Sequence, residues 1–474
     1  MSGDRTPIRP EELAPLFAQH RPRGPEEGLA LAVSGGSDSV ALMVLFADWL
    51  RQEGGEAHRH SVLTVDHRLR VQSAAEARWV AARAGALGFR HVVLEWQGPK
   101  PRTGLQAAAR AARYRLMHDY MARHGMRTLL VAHTRDDQAE TLLMRLARGS
   151  GVDGLAAMAP ATCVRRRAGG EAVRLVRPLL SVSKVRLRAT LEARGMAWME
   201  DASNDQPTFE RTRWRRARSD LEALGLASEL LARSAGRLQR ARAALEAITD
   251  GYCTAHAGVV RTDPCGAFRI DRQRLRQVPE EIALRLIGRC ITAAGGGMEP
   301  VPLAGLEPVV ARVWGAGPGE ADGHWTLARA KITAAGAAVA IEREPGRLPL
   351  PTMTVAAGAK MLWDGRFLVE IAAGFAGKLK LGALGPAGVA ALKPRAGALK
   401  GSPAWLLTPA FWREDQLLAA PAAGFWAHEG LEAMISAHFK GLRYNFPDGS
   451  PTDPRADPQT EAIGTTAVHC NAGT

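Results

Sequence analysis

Ser34-Gly35-Gly36-Ser37-Asp38-Ser39 stands between the apolar run Leu29-Ala30-Leu31-Ala32-Val33 and a second apolar segment, residues 40–50. A short buried-strand pattern, a turn with two glycines and three hydroxyls, then a helical pattern describe a loop that presents backbone N–H groups and a helix N-terminus to an anion. We read it as a phosphate site. The competing reading is a serine–glycine turn that only caps an ordinary helix. The stretch has neither the Gly-x-x-x-x-Gly-Lys-Ser/Thr spacing of a Walker loop nor the Gly-x-Gly-x-x-Gly spacing of a dinucleotide fold.

Outward from this loop, β-like runs at 29–33, 62–65, 91–95 and 129–132 alternate with helical stretches at 40–50, 73–87, 105–124 and 136–147. That alternation predicts an α/β fold, a doubly wound parallel sheet with helices on both faces. In such sheets ligands bind beyond the carboxyl ends of the strands. The second run is followed by Asp66-His67-Arg68-Leu69-Arg70, and the fourth by His133-Thr134-Arg135-Asp136-Asp137-Gln138-Ala139-Glu140. Asp136, Asp137 and Glu140 stand in the first turn of a helix, where carboxylates also serve as caps. The placing of Asp137 and Glu140 beside His133 at the mouth of the crevice favours chemistry over capping. Arg110 and Arg113, three apart on one helix face beside Tyr114, are expected to clamp phosphates, while Arg115 reads as solvated.

The chain has 474 residues, a length that suggests about three domains. Lys and Arg number 62 against 48 Asp and Glu, for a net charge of +14, and the isoelectric point is near 10.1. Such a balance points to a polyanionic partner, with a basic surface kept for solubility as the bland alternative. Most of the positive charge is arginine, whose planar fork suits phosphate. The five cysteines form no Cys-x-x-Cys pair, which argues against a zinc ribbon, an iron–sulfur cluster or a disulfide scaffold and for reduced thiols in a cytosol. With no signal-peptide core in the first thirty residues and no run near the ~18 apolar residues of a membrane helix, the expectation is a soluble cytoplasmic protein.

Further along, residues 148–155 are glycine-rich and read as a loop that orders on substrate binding. Arg165-Arg166-Arg167 reads as a basic hairpin tip, and Arg177-Pro178-Leu179-Leu180 as the lead-in to a helix at 183–194. A polar turn, Glu200-Asp201-Ala202-Ser203-Asn204-Asp205, opens onto Arg211-Thr212-Arg213-Trp214-Arg215-Arg216, with Arg218 beyond. These arginines are expected to form a stripe for phosphate contact, with Trp214 either stacking on a base or packing.

In order, the blocks SGGSDS, DHRLR, ARAARY, HTRDDQAET with MRLARGSGVDGL, RPLL, and EDASN followed by ER resemble the motif order of the bacterial tRNA(Ile)-lysidine synthases over residues 29–216. The resemblance implies a pyrophosphate-loop (PP-loop), adenine nucleotide alpha hydrolase-like fold that uses ATP and Mg²⁺. It implies a ligase that acts on the wobble cytidine of an isoleucine tRNA with a CAU anticodon: ATP activates carbon 2 of the base as an adenylate, and the ε-amine of free L-lysine displaces AMP. On this resemblance Ser34, Gly35, Gly36, Ser37 and Ser39 hold phosphate, and Asp38 reaches the metal or a phosphate-bound water. Arg110 and Arg113 steady the triphosphate or the RNA, and Arg211 and Arg215 bind substrate. Asp137 and Glu140 bind or orient the lysine, and His133 and Asp136 shape the site. The chain departs from the pattern at Thr212, where the family usually has Asn, so an amide donor is lost there. A homodimer is left open.

Residues 1–28 read as a lead-in and 29–218 as the catalytic domain. Helical patterns at 221–249 and 282–291 suggest a tRNA-contacting helical domain over 219–294. From 295 to 446 Gly, Pro and Ala dominate, with strand-like pieces at 325–327, 339–342 and 367–371, and a smaller β-rich or α+β domain is expected with Trp405, Trp412 and Trp426 in its core. The polar stretch 447–474 is expected to be a disordered tail. Three rivals remain. A tRNA thiolase sharing the loop would need catalytic or cluster-binding cysteines, and only Cys163 falls near the sheet domain. A small-molecule amidating ligase would not need the arginine stripe, and a non-catalytic RNA-binding protein would not need Asp38, His133, Asp137 and Glu140 together.

Overall fold

The computed structural model describes residues 5–20, 27–69, 73–101, 103–164, 172–200, 210–254, 258–315, 322–346, 349–392 and 402–442. Its N-terminal half is built from α1 (Leu13–Phe17), β1 (Ala30–Ala32), α2 (Ser37–Gln52), β2 (Ser61–Asp66), α3 (Ser73–Ala86), β3 (Arg90–Glu95), α4 (Leu105–Arg123) and β4 (Thr128–Leu130). α5 (Arg135–Leu146), α6 (Val152–Leu155), β5 (Ala161–Val164), β6 (Val173–Val176) and α7 (Lys184–Glu192) follow. The strands form one sheet in the order β3-β2-β1-β4-β6-β5. All pairs are parallel except the outermost, where Ala161 to Val164 run antiparallel to Val176 to Val173. The doubly wound parallel sheet is therefore present, with two strands beyond the four expected. Both are four residues long, and Arg174 interrupts β6, so neither carries a clear apolar signal.

β1 lies at the centre, with Ala30 beside Ser61 on one flank and Leu129 on the other. Strands covered on both faces read as continuous apolar runs, as Leu29 to Val33 does. α2 is apolar nearly all round because it too is enclosed: Val40 to Leu50 are buried, apart from Asp48, between the sheet, α1 and α7. The helix begins at Ser37, three residues earlier than the apolar pattern suggests, because extended Gly36 (φ −69°, ψ 158°) acts as its N-cap and puts Asp38 in the first turn. Residues 5–20 are not a loose lead-in. Ile8, Leu13 and Phe17 are buried, Phe17 packs on Phe46 and Trp49 at 5.5 and 5.8 Å between ring centroids, and the Ile8 N–H donates to Thr190 Oγ1 at 2.8 Å.

Beyond the sheet comes α8 (Glu210–Arg216), and then α9 (Arg218–Ala223) and α10 (Ser228–Thr254) stand in place of the single helix expected over 221–249. The break falls at Gly225, whose φ of +83° no continuing helix can adopt. Leu231 and Ala235 of α10 share a buried cluster with Ala139, Leu142 and Leu143 of α5, so the long helix lies directly on the acidic one.

The expected boundary at 294/295 cuts through one structural unit. β7 (Val260–Thr262), β8 (Phe268–Asp271), β9 (Gly323–Leu327), β10 (Ala330–Ala335) and β11 (Ala338–Arg343) make an antiparallel sheet in the order β7-β8-β11-β10-β9. α11 (Arg272–Leu275), α12 (Glu280–Gly295) and α13 (Leu303–Gly315) belong to the same unit, and Leu286, Ile287 and Cys290 of α12 share its core with Phe268 and Ile341. The strand-like pieces at 325–327, 339–342 and 367–371 all lie within observed strands. Further on, β12 (Met353–Ala356), β15 (Lys378–Ala383), β16 (Pro409–Arg413), β17 (Gln416–Ala420) and β18 (Phe425–Trp426) form a second antiparallel sheet, and β13 (Lys360–Trp363), β14 (Phe367–Ile371) and β19 (Ile435–Phe439) a third. Asp364 ties these C-terminal sheets to β11, accepting from Arg343 Nε at 3.0 Å, Arg366 Nε at 2.7 Å and Arg329 Nη2 at 3.0 Å. Trp405 is buried, whereas Trp412 and Trp426 are half-buried at the edges of two clusters. Residues 447–474, expected to be disordered, lie outside the described residues, as do Arg165-Arg166-Arg167.

Candidate active site

The loop after β1 folds back on itself through its hydroxyls. Ser39 Oγ accepts from the Ser34 N–H at 3.2 Å and donates to the Gly36 carbonyl at 2.9 Å, which ties the end of the strand to the first turn of α2. Gly35 takes φ +94°, and its carbonyl accepts from the Met199 N–H at 2.9 Å. A side chain at Gly35 would press on Met199 Sδ at 3.2 Å, whereas one at Gly36 would meet nothing nearer than Ser34 Oγ at 3.9 Å. The loop is thus closed at Gly35 and open at Gly36, where backbone N–H groups at a helix N-terminus face unfilled space.

A second helix N-terminus meets it. Thr134 caps α5 in a reciprocal arrangement: its N–H and hydroxyl both donate to Asp137 Oδ2 at 2.8 Å, and the Asp137 N–H returns to Thr134 Oγ1 at 3.4 Å. The capping reading of this turn is therefore correct for one oxygen of Asp137. The other, Oδ1, faces Lys184 Nζ at 3.1 Å and Arg215 Nη2 at 3.8 Å. Lys184 Nζ also lies 3.6 Å from Asp38 Oδ2, and its backbone N–H donates to Asp136 Oδ2 at 2.8 Å. Asp38 of the glycine loop and Asp136 and Asp137 of the acidic turn are thus gathered by a single residue at the first position of α7.

The charges respond to this crowding. Burial alone would raise the Asp137 carboxyl, but the Lys184 ammonium and the Thr134 hydrogen bonds prevail and hold it down at about 2. Burial lifts Asp38 above the ordinary aspartate value, and neighbouring Asp137 and Asp136 lift it further against the pull of Lys184. Burial also works against the Lys184 ammonium, yet Asp137 and Asp38 outweigh it and keep its pKa above that of a free lysine. His133 is half-buried, and its positive charge when protonated would favour the Asp137 carboxylate.

The arginines divide. Arg215 Nε donates to Glu140 Oε1 at 2.7 Å, and Arg218 Nη1 lies 2.7 Å from Asp136 Oδ1. The expected phosphate stripe is therefore turned inward at these two positions, because α5 presents buried carboxylates that need counter-charges. Trp214 is half-buried against the α5 cluster, which is the packing reading. Of Arg211 the structure describes the helical position but not the side chain. Arg113 Nη2 reaches His67 Nε2 at 3.5 Å, joining α4 to the end of β2, while Arg110 lies 5.2 Å from the centre of the Tyr114 ring and stays exposed. Burial and the nearby Arg113 lower His67 to about 4, so its ring is neutral and can accept from the guanidinium. Residues 148–155 do not form an open loop. α6 lies there, Arg145 Nη1 donates to the carbonyls of Gly154 and Ala157 at 2.8 and 3.0 Å, and Asp153 accepts from Arg285 of α12 at 2.6 Å.

Between α5, α7 and the α8–α10 helices lies a cleft of about 270 Å³, with Asp136, Glu140, Lys184, Arg188, Arg215 and Arg218 on its polar wall and Leu143, Trp214, Leu221, Leu226 and Leu231 on its apolar one. An amphipathic cavity with carboxylates and guanidinium groups at its rim can take a long aliphatic chain that is charged at both ends. Lys184 and Arg188 escape the sequence reading. The one local signal for Lys184 is weak: a cation at the first position of a helix, next to the Ser183 cap, opposes the macrodipole and is favoured by nearby anions. Among the described residues no group of three or more His, Cys, Asp or Glu side chains is placed to hold a metal, and Cys163 lies on the outermost strand, β5. No described helix is long and apolar enough to cross a membrane.

Comparison with known proteins places this geometry in a family. A PP-loop domain model matches residues 11–219, which contain the sheet, the glycine loop, the acidic turn and α7. The chain is 42% identical over 366 residues to the tRNA(Ile)-lysidine synthase of Bradyrhizobium diazoefficiens, a match covering 73% of this chain and 96% of that protein. It is 44% identical to the one from Methylobacterium nodulans, over 65% of this chain and 88% of the relative, and 38% identical to the one from Ruegeria pomeroyi, over 84% and 90%. Relatives that are matched over nearly their whole length, on a chain whose glycine loop and acidic turn meet in one crevice, show that it belongs to the tRNA(Ile)-lysidine synthase family.

Proposed function

We propose that the chain joins free L-lysine to the wobble cytidine of an isoleucine tRNA with a CAU anticodon, at the expense of ATP. The observation that carries this reading is the sharing of Lys184 by Asp38 and Asp137, at 3.6 and 3.1 Å, which makes the phosphate loop and the acidic turn one site. The triphosphate lies on the open face of the loop at Gly36, with the N-terminus of α2 as its anion partner. The cytosine oxygen attacks the α-phosphorus, pyrophosphate leaves, and carbon 2 of the base becomes an electrophile. The ε-amine of lysine then adds at carbon 2, and AMP leaves with the former cytosine oxygen.

For that second step the ammonium must be received and must lose a proton before it attacks. Asp137 and Glu140 supply the negative charge, and the apolar wall of the cleft accommodates the methylenes of the substrate. Arg188 at its rim suits the α-carboxylate. Asp38, which already attracts a cation, would hold Mg²⁺, and the ion would supply charge neutralisation on the phosphates. Arg113, held on His67, and the exposed Arg110 are available to phosphate from the side of β2.

Replacement of Asp137 by Asn keeps an acceptor for Thr134 and removes the charge. In a labelled-lysine incorporation assay this variant should show a KM for lysine raised at least about tenfold, with ATP affinity changed by no more than about threefold. An unchanged KM for lysine would remove Asp137 from the lysine site.

A further inference from the structure

The ammonium of Lys184 occupies the one position that both bound cations of the proposed reaction would seek. It is three-quarters buried, and it contacts a carboxylate from each half of the site, Asp38 Oδ2 and Asp137 Oδ1. Arg215 also approaches Asp137 Oδ1, at 3.8 Å, but is committed to Glu140 through Nε at 2.7 Å. Ser37 Oγ donates to the remaining oxygen of Asp38 at 3.4 Å, and Thr134 satisfies the remaining oxygen of Asp137. Lys184 is therefore the only cation among the described contacts that bridges the two carboxylates. Its backbone is fixed by Asp136, but its side chain is four methylenes long and ends beside the open loop, so the ammonium can move while the helix stays in place.

We propose that Lys184 is a built-in counter-ion that keeps Asp38 and Asp137 closed to free cations until the phosphates of ATP draw its ammonium away. The inference rests on the reading that ATP enters at the glycine loop. In the nucleotide-free protein the ammonium cancels one of the pair's two charges and fills the position between them, so a divalent ion must displace it to enter. A triphosphate offers the same ammonium a stronger anion close by, and its transfer leaves Asp38 for the metal and Asp137 for the ammonium of the incoming lysine. One residue thereby orders the ligands, with nucleotide first and the two cations after it. Lys184 is a positioning residue on this account as well as a phosphate contact.

The test uses Mn²⁺ as the probe, with the full-length protein free of nucleotide, and reads bound metal by electron paramagnetic resonance. Lys184→Met leaves two facing carboxylates without their shared cation and should bind Mn²⁺ at least tenfold more tightly than the unsubstituted chain. Lys184→Arg, which keeps the charge, should stay as resistant to metal as the parent. In EDTA, ATP should bind the Met variant at least tenfold more weakly by calorimetry, since the ammonium that would meet its phosphates is gone. Mn²⁺ affinity unchanged in a Met variant with a parental circular dichroism spectrum overturns the proposal, as does unchanged metal-free ATP affinity. If the Met variant does not fold, Lys184→Gln, which keeps an amide donor toward Asp137, carries the same expectations. None of these readouts involves tRNA or lysine transfer, so failure here is separable from failure of the ligase reading.

Discussion

Gly35 and Gly36 are neighbours in one loop, yet alanine should act on them in opposite ways. Gly35 sits at φ +94°, where an L side chain costs about 1–2 kcal/mol. Its methyl would also press on Met199 Sδ at 3.2 Å, the flexible end of a side chain that can give way at small further cost. Gly35→Ala should therefore destabilise the N-terminal half by about 2 kcal/mol, a fall of roughly 4–8 °C in Tm for a domain of this size. Gly36 has an ordinary extended backbone, φ −69° and ψ 158°, and its methyl would touch only Ser34 Oγ at 3.9 Å. Gly36→Ala should leave stability within about 0.5 kcal/mol of the parent. The methyl would, however, enter the space in which a phosphate must approach the backbone, and ATP should bind at least about tenfold more weakly, a loss of ~1.4 kcal/mol. Differential scanning calorimetry gives the first quantity and isothermal titration with ATP the second. If Gly36→Ala unfolds as early as Gly35→Ala, or binds ATP as the parent does, the open face of the loop is not a phosphate seat.

His60 is buried and accepts the Leu29 N–H on Nδ1 at 3.1 Å, and burial, with Arg59 and His58 adding to it, lowers its pKa to about 4. The folded state thus resists a proton that the unfolded chain takes up below pH 6.5, so this contribution is complete above 6.5 and is lost as pH falls toward 4, by about 2 kcal/mol at pH 5. In urea melts His60→Gln should narrow the gap in stability between pH 7 and pH 5 by about that amount, and an unchanged gap would assign the pH dependence elsewhere. Arg285 of α12 is almost wholly buried and binds Asp153 of α6 at 2.6 Å, Glu281 at 2.9 Å and Glu246 of α10. Arg285→Met removes the partner of Glu281 and one of two guanidinium partners from Asp153 and Glu246, which keep Arg242 and Arg289, and should cost about 2 kcal/mol. It should also speed hydrogen exchange at residues 152–155, and unchanged exchange there would show that α6 is held without α12.

What could be read from the sequence follows the strength of each local signal. The loop Ser34 to Ser39 and the turn His133 to Glu140 were legible because a parallel sheet places the ends of β1 and β4 side by side. α2 and the enclosed strands were legible because burial on every side leaves uninterrupted apolar runs. β5 and β6 were not, being short and broken by Arg174. The break between α9 and α10 turns on the backbone of Gly225, which a helical pattern rich in Ala, Leu and Arg conceals. The boundary placed at 294/295 failed because β8, which carries β7 on its outer edge, pairs with β11, a strand some seventy residues later that no local pattern connects to it. Lys184 was missed for a related reason, since its meaning lies in two carboxylates that are far away in sequence. Arg215 and Arg218 read as RNA contacts until the structure showed them neutralising Glu140 and Asp136.

The most direct test of the central claim is to locate the modification on the RNA. Isoleucine tRNA with a CAU anticodon, and methionine tRNA with the same anticodon as control, are incubated with the protein, ATP, Mg²⁺ and L-lysine, then digested and analysed by nucleoside mass spectrometry. The account predicts a lysine-bearing cytidine at the wobble position of the isoleucine tRNA and an unmodified wobble cytidine in the methionine tRNA. Lysine on neither, or a lysine-independent change such as sulfur in place of the cytosine oxygen, would contradict it.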